Sequence, residues 1–187
     1  MFRGASRRKK PMKLESTVAI LAVIVITVAA AQNPPVPKPS PELKRLEYWV
    51  GNWTTEFEFK TGSGPAGKII GKVHEEWLPG GYFVVSRAEW TGALGNSTEL
   101  SVMGYNADEK VYTNNDFNGA GGAQYSQGTV VGDTWTLIGS LKMSDKKITN
   151  RFVIKEISPT LCTFKLESAP EGGEWVTIME GKSMKSP

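Results

Sequence analysis

The sequence predicts an all-β domain: about ten short antiparallel strands wound up and down into a barrel, preceded by one short helix. Three observations carry that prediction. From Trp53 onward, apolar and polar residues alternate with a period of two. Turn signals rich in glycine, proline, asparagine and aspartate interrupt the alternation again and again. The chain has 187 residues, 40% of them hydrophobic and 22% charged, which suits one well-cored domain and little more.

The elements follow in order. Six basic residues (Arg3, Arg7, Arg8, Lys9, Lys10 and Lys13) precede an unbroken apolar or small run, Thr17–Ala31. As a helix that run spans ~22 Å, short of the ~30 Å hydrocarbon core of a bilayer. It ends on Ala29-Ala30-Ala31, the small-residue pattern of a signal peptidase site, so residues 1–31 read as a secretory signal. Translation from Met12 gives a more ordinary leader than Met1. The expected location is periplasmic or secreted, with membrane contact only through an uncleaved leader. Residues 32–41 form a spacer, with five prolines between Asn33 and Pro41.

The barrel domain is expected over 42–187. Ser40 is placed to cap a helix with Pro41 at its first position, and Leu43, Leu46 and Val50 give it one apolar stripe over about ten residues, with Gly51 as the stop. Trp53, Thr55, Phe57 and Phe59 then share one strand face, opposite Thr54, Glu56, Glu58 and Lys60. In Lys68–Trp77, Ile69, Val73 and Trp77 oppose Lys68, Lys72, His74 and Glu76. Trp135, Leu137 and Leu141 alternate with Thr134, Thr136 and Ser140, and Cys162, Phe164 and Leu166 alternate with Thr163, Lys165 and Glu167. Further strands are expected at Tyr82–Trp90, Thr98–Tyr105, Val111–Phe117, Ala123–Val130, Ile148–Ile157 and Glu174–Lys182. Turns separate them, among them Thr61 to Pro65 and Ser144-Asp145. A sandwich or a barrel accommodates such a series; closure into a barrel removes the exposed sheet edges.

Val50-Gly51-Asn52-Trp53 opens the first strand with a Gly-x-Trp after a short helix, followed by Leu78-Pro79-Gly80-Gly81-Tyr82, Gly104-Tyr105-Asn106 and Ser126-Gln127-Gly128. This ordered set resembles the lipocalin and calycin group of barrels, and within it an uncharacterised family of exported bacterial proteins. The resemblance implies an up-and-down barrel whose relatives bind small, mostly apolar molecules. It also implies that Trp53 packs at the closed end beneath a basic side chain from late in the chain, Arg151 or Lys182. Fold alone implies no reaction.

Composition excludes several functions. The net charge of +3 comes from the leader: beyond residue 31 there are 16 basic and 18 acidic residues, a balance of −2, so no nucleic-acid surface is expected. One cysteine, Cys162, and one histidine, His74, exclude a disulfide framework and a multi-histidine metal site. Haem would need His74, which shares its strand face with Lys68, Lys72 and Glu76 and so points to solvent. No cofactor is predicted. Glu75 and Glu76 are adjacent and face opposite ways, no Gly-x-Ser-x-Gly elbow occurs, and Asn114-Asn115-Asp116 lacks calcium-loop spacing.

Polar groups on both parities of the middle strands suggest a lumen. Arg87 shares a face with Phe83 and Val85, Tyr105 with Met103, and Asn115 with Val111 and Phe117. Arg87, Tyr105, Asn115 and Tyr125 are therefore expected either on the polar part of a cavity, with Trp90 and Trp135 as its apolar wall, or at an open, solvated sheet edge. The reading that follows is a non-enzymatic barrel binding a small hydrophobic or amphipathic molecule. Its rivals are a solid interaction module of the cell envelope and a barrel enzyme using Arg87 or Asp116 as acid or base.

Overall fold

The computed structural model of the chain describes residues 39–60, 67–92, 95–143 and 146–186. The leader, the spacer through Lys38 and the turns expected at Thr61 to Pro65 and Ser144-Asp145 lie outside the described residues. Ten strands form one closed antiparallel barrel. They are β1 (Gly51–Phe59), β2 (Lys68–Trp77), β3 (Phe83–Gly92), β4 (Gly95–Asn106), β5 (Val111–Asn118), β6 (Ala123–Val131), β7 (Thr134–Met143), β8 (Lys146–Ser158), β9 (Leu161–Pro170) and β10 (Val176–Lys185). Each strand pairs with its sequence neighbours, and β1 closes the ring on β10, from Trp53 opposite Lys185 to Phe59 opposite Met179. Every strand expected from the sequence is present, most of them longer than the alternation alone suggested.

The helix differs from its expectation. It is a 3-10 helix of eight residues, Pro41–Tyr48, and Ser40 makes no capping bond through its side chain. Its buried residues explain the tighter winding. Leu43, Leu46 and Trp49 are each three apart, which lines up one face at three residues per turn. Gly51 does not follow as a mere stop: with φ at +131° it turns the chain directly into β1.

This face plugs one end of the barrel. Leu46 and Trp135 are fully buried there, with Trp49, Trp53, Tyr112 and Leu137 around them. Trp49 packs edge-on against Trp135 at 5.4 Å, and Tyr112 does so at 4.9 Å. Polar atoms brought into this aromatic cluster are mostly paired. The Trp53 indole donates to the Trp49 carbonyl at 2.6 Å, the Trp135 indole to Glu156 at 2.6 Å, and the Tyr112 hydroxyl to the Glu42 carbonyl at 3.0 Å. Arg45 completes the plug by reaching Glu156 at 2.8 Å and the Gly132 carbonyl at 3.1 Å. Among the described residues, no helix is long and apolar enough to cross a membrane.

The basic residue over Trp53 is neither Arg151 nor Lys182. Lys185 places its Nζ 5.1 Å from the Trp53 ring centre and 5.9 Å from that of Tyr48. The register decides this: Lys185 is directly opposite Trp53 on β10. Lys182 has the other parity and pairs with Glu56 outside, and Arg151 pairs with Glu167 at 2.7 Å.

Candidate functional site

Above the plug the barrel is hollow. A cavity of ≈ 460 Å³ rises from Trp49 and Trp53 towards the β3–β4 hairpin, and an adjoining one of ≈ 410 Å³ reaches the β5–β6 hairpin. The two share Glu99, Asn114 and Asp116 on one side and Leu137, Phe152 and Leu166 on the other, so they are lobes of one lumen.

The two sides are chemically unlike. From β8 through β10 to β2 the inward residues are chiefly Phe152, Ile154, Phe164, Leu166, Met179, Phe57, Ile69 and Val73. Phe57, Phe152 and Phe164 touch as a cluster, with ring centres 5.4 to 6.4 Å apart. From β3 to β6 the inward residues are Ser86, Ser97, Glu99, Ser101, Asn114, Asp116, Asn118, Gln124 and Ser126, broken by Ala88, Trp90 and Met103. Trp90 links the walls. Its ring meets Phe57 at 5.4 Å and lies over Gly71, where any Cβ would run into it.

Burial shifts the lumen carboxyls upward. Desolvation pushes Glu75 to about 8, against the opposing pull of the Ser86 hydroxyl and the Lys185 charge. Glu99 is pushed to about 7 by desolvation and then by the Asp116 charge, with the Trp90 indole acting the other way. Asp116 is raised by desolvation too, opposed by its bonds from Asn114 Nδ2 at 2.8 and 2.9 Å. Cys162 at the base of the lumen is buried, and desolvation raises its thiol to about 11, so it stays protonated at neutral pH.

The sequence-predicted site residues separate into three groups. Trp90 lines the cavity. Tyr105 and Trp135 point inward but pack in the aromatic plug below it, where Tyr105 meets Tyr112 at 5.0 Å. Arg87, Asn115 and Tyr125 are corrected: all three lie on the outer parity of their strands. Arg87 is bonded to Glu76 at 2.7 Å, and the Tyr125 hydroxyl donates to Gln127 at 2.9 Å. Asn115 stands opposite Tyr125 on the outside, while its neighbours Asn114 and Asp116 face in. The physical reason is an apolar outer face. Phe83, Leu100 and Phe117 are 45%, 40% and 46% exposed, so sharing a face with them marks the exterior here.

Glu75, Glu99 and Asn114 were missed as lumen residues, although the signal for Glu99 was available: it has the parity of Ser101 and Met103. His74 faces outward, bonded to Asn52 Oδ1 at 2.7 Å. A larger concavity of ≈ 680 Å³ lies on the outer surface of β8, β9, β10 and β1. Its charges are largely neutralised in pairs, Lys60 with Glu180 at 2.7 Å and Glu56 with both Lys182 at 2.9 Å and Lys68, which marks a solvated exterior.

Comparison with known proteins agrees on the fold. The barrel is similar to the crystal structure of Rv2717c from M. tuberculosis, with a TM-score of 0.57 and 14% identity over 80% of this chain and 99% of that one. It is also similar to the S-type phycobiliprotein lyase CPES from Guillardia theta, with a TM-score of 0.51 and 10% identity over 77% and 92% of the two chains. No curated protein matches the sequence. The family described as protein of unknown function (DUF1579) matches residues 38–185, nearly the whole barrel chain, and this protein belongs to that family.

Proposed function

We propose that this chain is an exported, non-enzymatic barrel that holds a small amphipathic molecule in its lumen. The observation that carries the reading is the two-sided cavity. A volume of ≈ 460 Å³ falls inside the ~300–1,000 Å³ range of small-molecule sites. One wall offers aromatic and aliphatic contact area, and the other offers hydrogen-bonding groups that an apolar molecule alone leaves unsatisfied. The lipocalin-like opening at Gly51 and Trp53 supports the same reading. Export is supported by the basic and then apolar run of residues 1–31, ending on Ala29-Ala30-Ala31, and by the proline-rich spacer at 32–41.

Native mass spectrometry of the protein purified from its own host tests both parts. The expected result is a mass lacking the leader, with a small molecule released on denaturation. A protein that keeps its leader overturns cleavage, and recovery of the protein from the cytoplasmic fraction overturns export. A lumen that captures neither a host molecule nor a neutral apolar dye such as Nile red overturns the binding role. A second reading, an interaction module, is favoured by the outer apolar residues Leu100, Phe117, Tyr125 and Ile138, each 40 to 48% exposed.

A further inference from the structure

We propose that the Glu99–Asp116 corner of the lumen is an ammonium site, so that the ligand carries a protonated aliphatic amine on its apolar body. This rests on the lumen-binding reading and makes it specific.

Three observations converge on that corner. The first is the register. Ser101 on β4 stands opposite Asp116 on β5, and Glu99 opposite Asn118. The two carboxyls are therefore diagonal neighbours on the same inward face, ~7–8 Å apart at the backbone and closer at their tips. The second is the charge inventory. Among the described residues lining the two lobes there are three acids, Glu75, Glu99 and Asp116, and no lysine or arginine. Glu75 has a cation near it, Lys185 at the plug. Among the described residues lining the lobes, none is a cation beside Glu99 or Asp116. Two carboxyls side by side in a low-dielectric space are costly unless protonated or met by a cation.

The third observation concerns the amides around the acids. Asn114 spends its amide N–H groups on Asp116, which leaves Oδ1 fully buried without a donor. Across the lumen, Asn150 is 8% exposed and aims an unpartnered amide into the same lobe, as Ser126, also 8% exposed, does with its hydroxyl. Native interiors seldom leave such groups unmet. The corner therefore gathers two carboxyls and an unmet amide oxygen, and its donors, the Trp90 indole on Glu99 and the Asn114 amide on Asp116, are neutral. An ammonium supplies what is missing: positive charge, carried on up to three N–H donors that converge on a compact point. An alcohol supplies one donor and no charge, and a carboxylate adds repulsion. The apolar wall at Phe57, Phe152 and Phe164 receives the rest of the molecule.

The experiment compares n-decylamine, n-decanol and n-decanoate by isothermal titration calorimetry on the processed protein at pH 7.5, with Nile red as a neutral reporter of the lumen. The amine is expected to bind at least about tenfold tighter than the alcohol, and decanoate weakest, in line with a charge-assisted hydrogen bond. In the isosteric double variant Glu99→Gln, Asp116→Asn the ratio of amine to alcohol affinity is expected to fall towards one. Circular dichroism confirms that this variant is folded. If Nile red or decanol binds but the amine has no advantage, the ammonium site is overturned while the lumen reading stands. An amine preference that survives in the double variant overturns it as well. If none of the four probes binds, the lumen reading itself fails.

Discussion

The barrel is built from two arcs of opposite character. Along β8, β9, β10, β1 and β2 the outside carries many charges, with Lys155, Lys165, Lys182, Glu180 and Lys68 beside the exposed Ile70 and Met184, and the inside is chiefly apolar, with Thr55, Glu75, Asn150 and Ser183 as exceptions. Along β3 to β7 the outside carries Phe83, Leu100, Phe117, Tyr125 and Ile138, while much of the inside is Ser, Asn, Gln, Glu and Asp. The first arc follows the ordinary rule for a sheet with one face on the core. The second reverses it. A reversal of this kind makes no sense for a solid core, where each inward polar group costs free energy, but it suits a lumen with a hydrogen-bonding wall.

The contrast can be broken most sharply at Phe164, which is 8% exposed and packed on Phe57 and Phe152. Phe164→Ala is expected to cost about 3–5 kcal/mol in urea unfolding, because it enlarges the cavity and strips the apolar wall. Leu100→Ser on the outer face of the other arc should change stability by no more than about 0.5 kcal/mol. Equal costs for the two would dissolve the distinction between the arcs.

Acidification probes the polar wall as a whole. Glu75 and Glu99 titrate at about 8 and about 7 in the folded chain, above their values when unfolded. The fold therefore holds more protons than the unfolded chain between roughly pH 4 and 8. Stability is greatest below that window and falls as pH rises through it. Thermal midpoints of the ligand-free protein should climb from pH 8 to pH 5. The double variant Glu75→Gln, Glu99→Gln should flatten the profile. The other titratable groups at the lumen are Asp116, Cys162 and, towards the plug, Lys185 and Glu156. A profile that falls on acidification would show that these carboxyls are ionised and paired in the empty barrel.

Gly71→Ala tests the join between the arcs. Its Cβ has no room beside the Trp90 ring, so the indole must move, at a cost of about 1–3 kcal/mol and with a shift in tryptophan emission. An unchanged spectrum would mean that Trp90 does not lie across β2. The smallest effect belongs to Arg87→Ala. Its ion pair with Glu76 joins side chains that are 56% and 51% exposed, so stability should change by less than about 1 kcal/mol and lumen binding not at all.

Much of this architecture is legible in the chain. The alternation around Trp53, Val73, Leu137 and Phe164 locates strands and their buried faces together, because those faces are apolar. The same reasoning inverts Arg87, Asn115 and Tyr125. Asn114 and Asp116 are the inward pair and Asn115 the outward one, yet Asn115 is flanked on its own face by Val111 and Phe117, the usual mark of a core. Hydrophobicity assigns a face correctly only where the interior is drier than the exterior, and on β4 to β6 it is not.

By itself, then, the sequence determined the number and position of the strands, the plug before them and which side chains share a face, since a period of two and the turn residues are local properties of the backbone. Which face became the inside, and that Lys185 rather than Lys182 or Arg151 covers Trp53, was decided by closure of β1 on β10. Ring closure fixes one register for the whole sheet at once, and a register is a relation between distant residues that no local pattern carries.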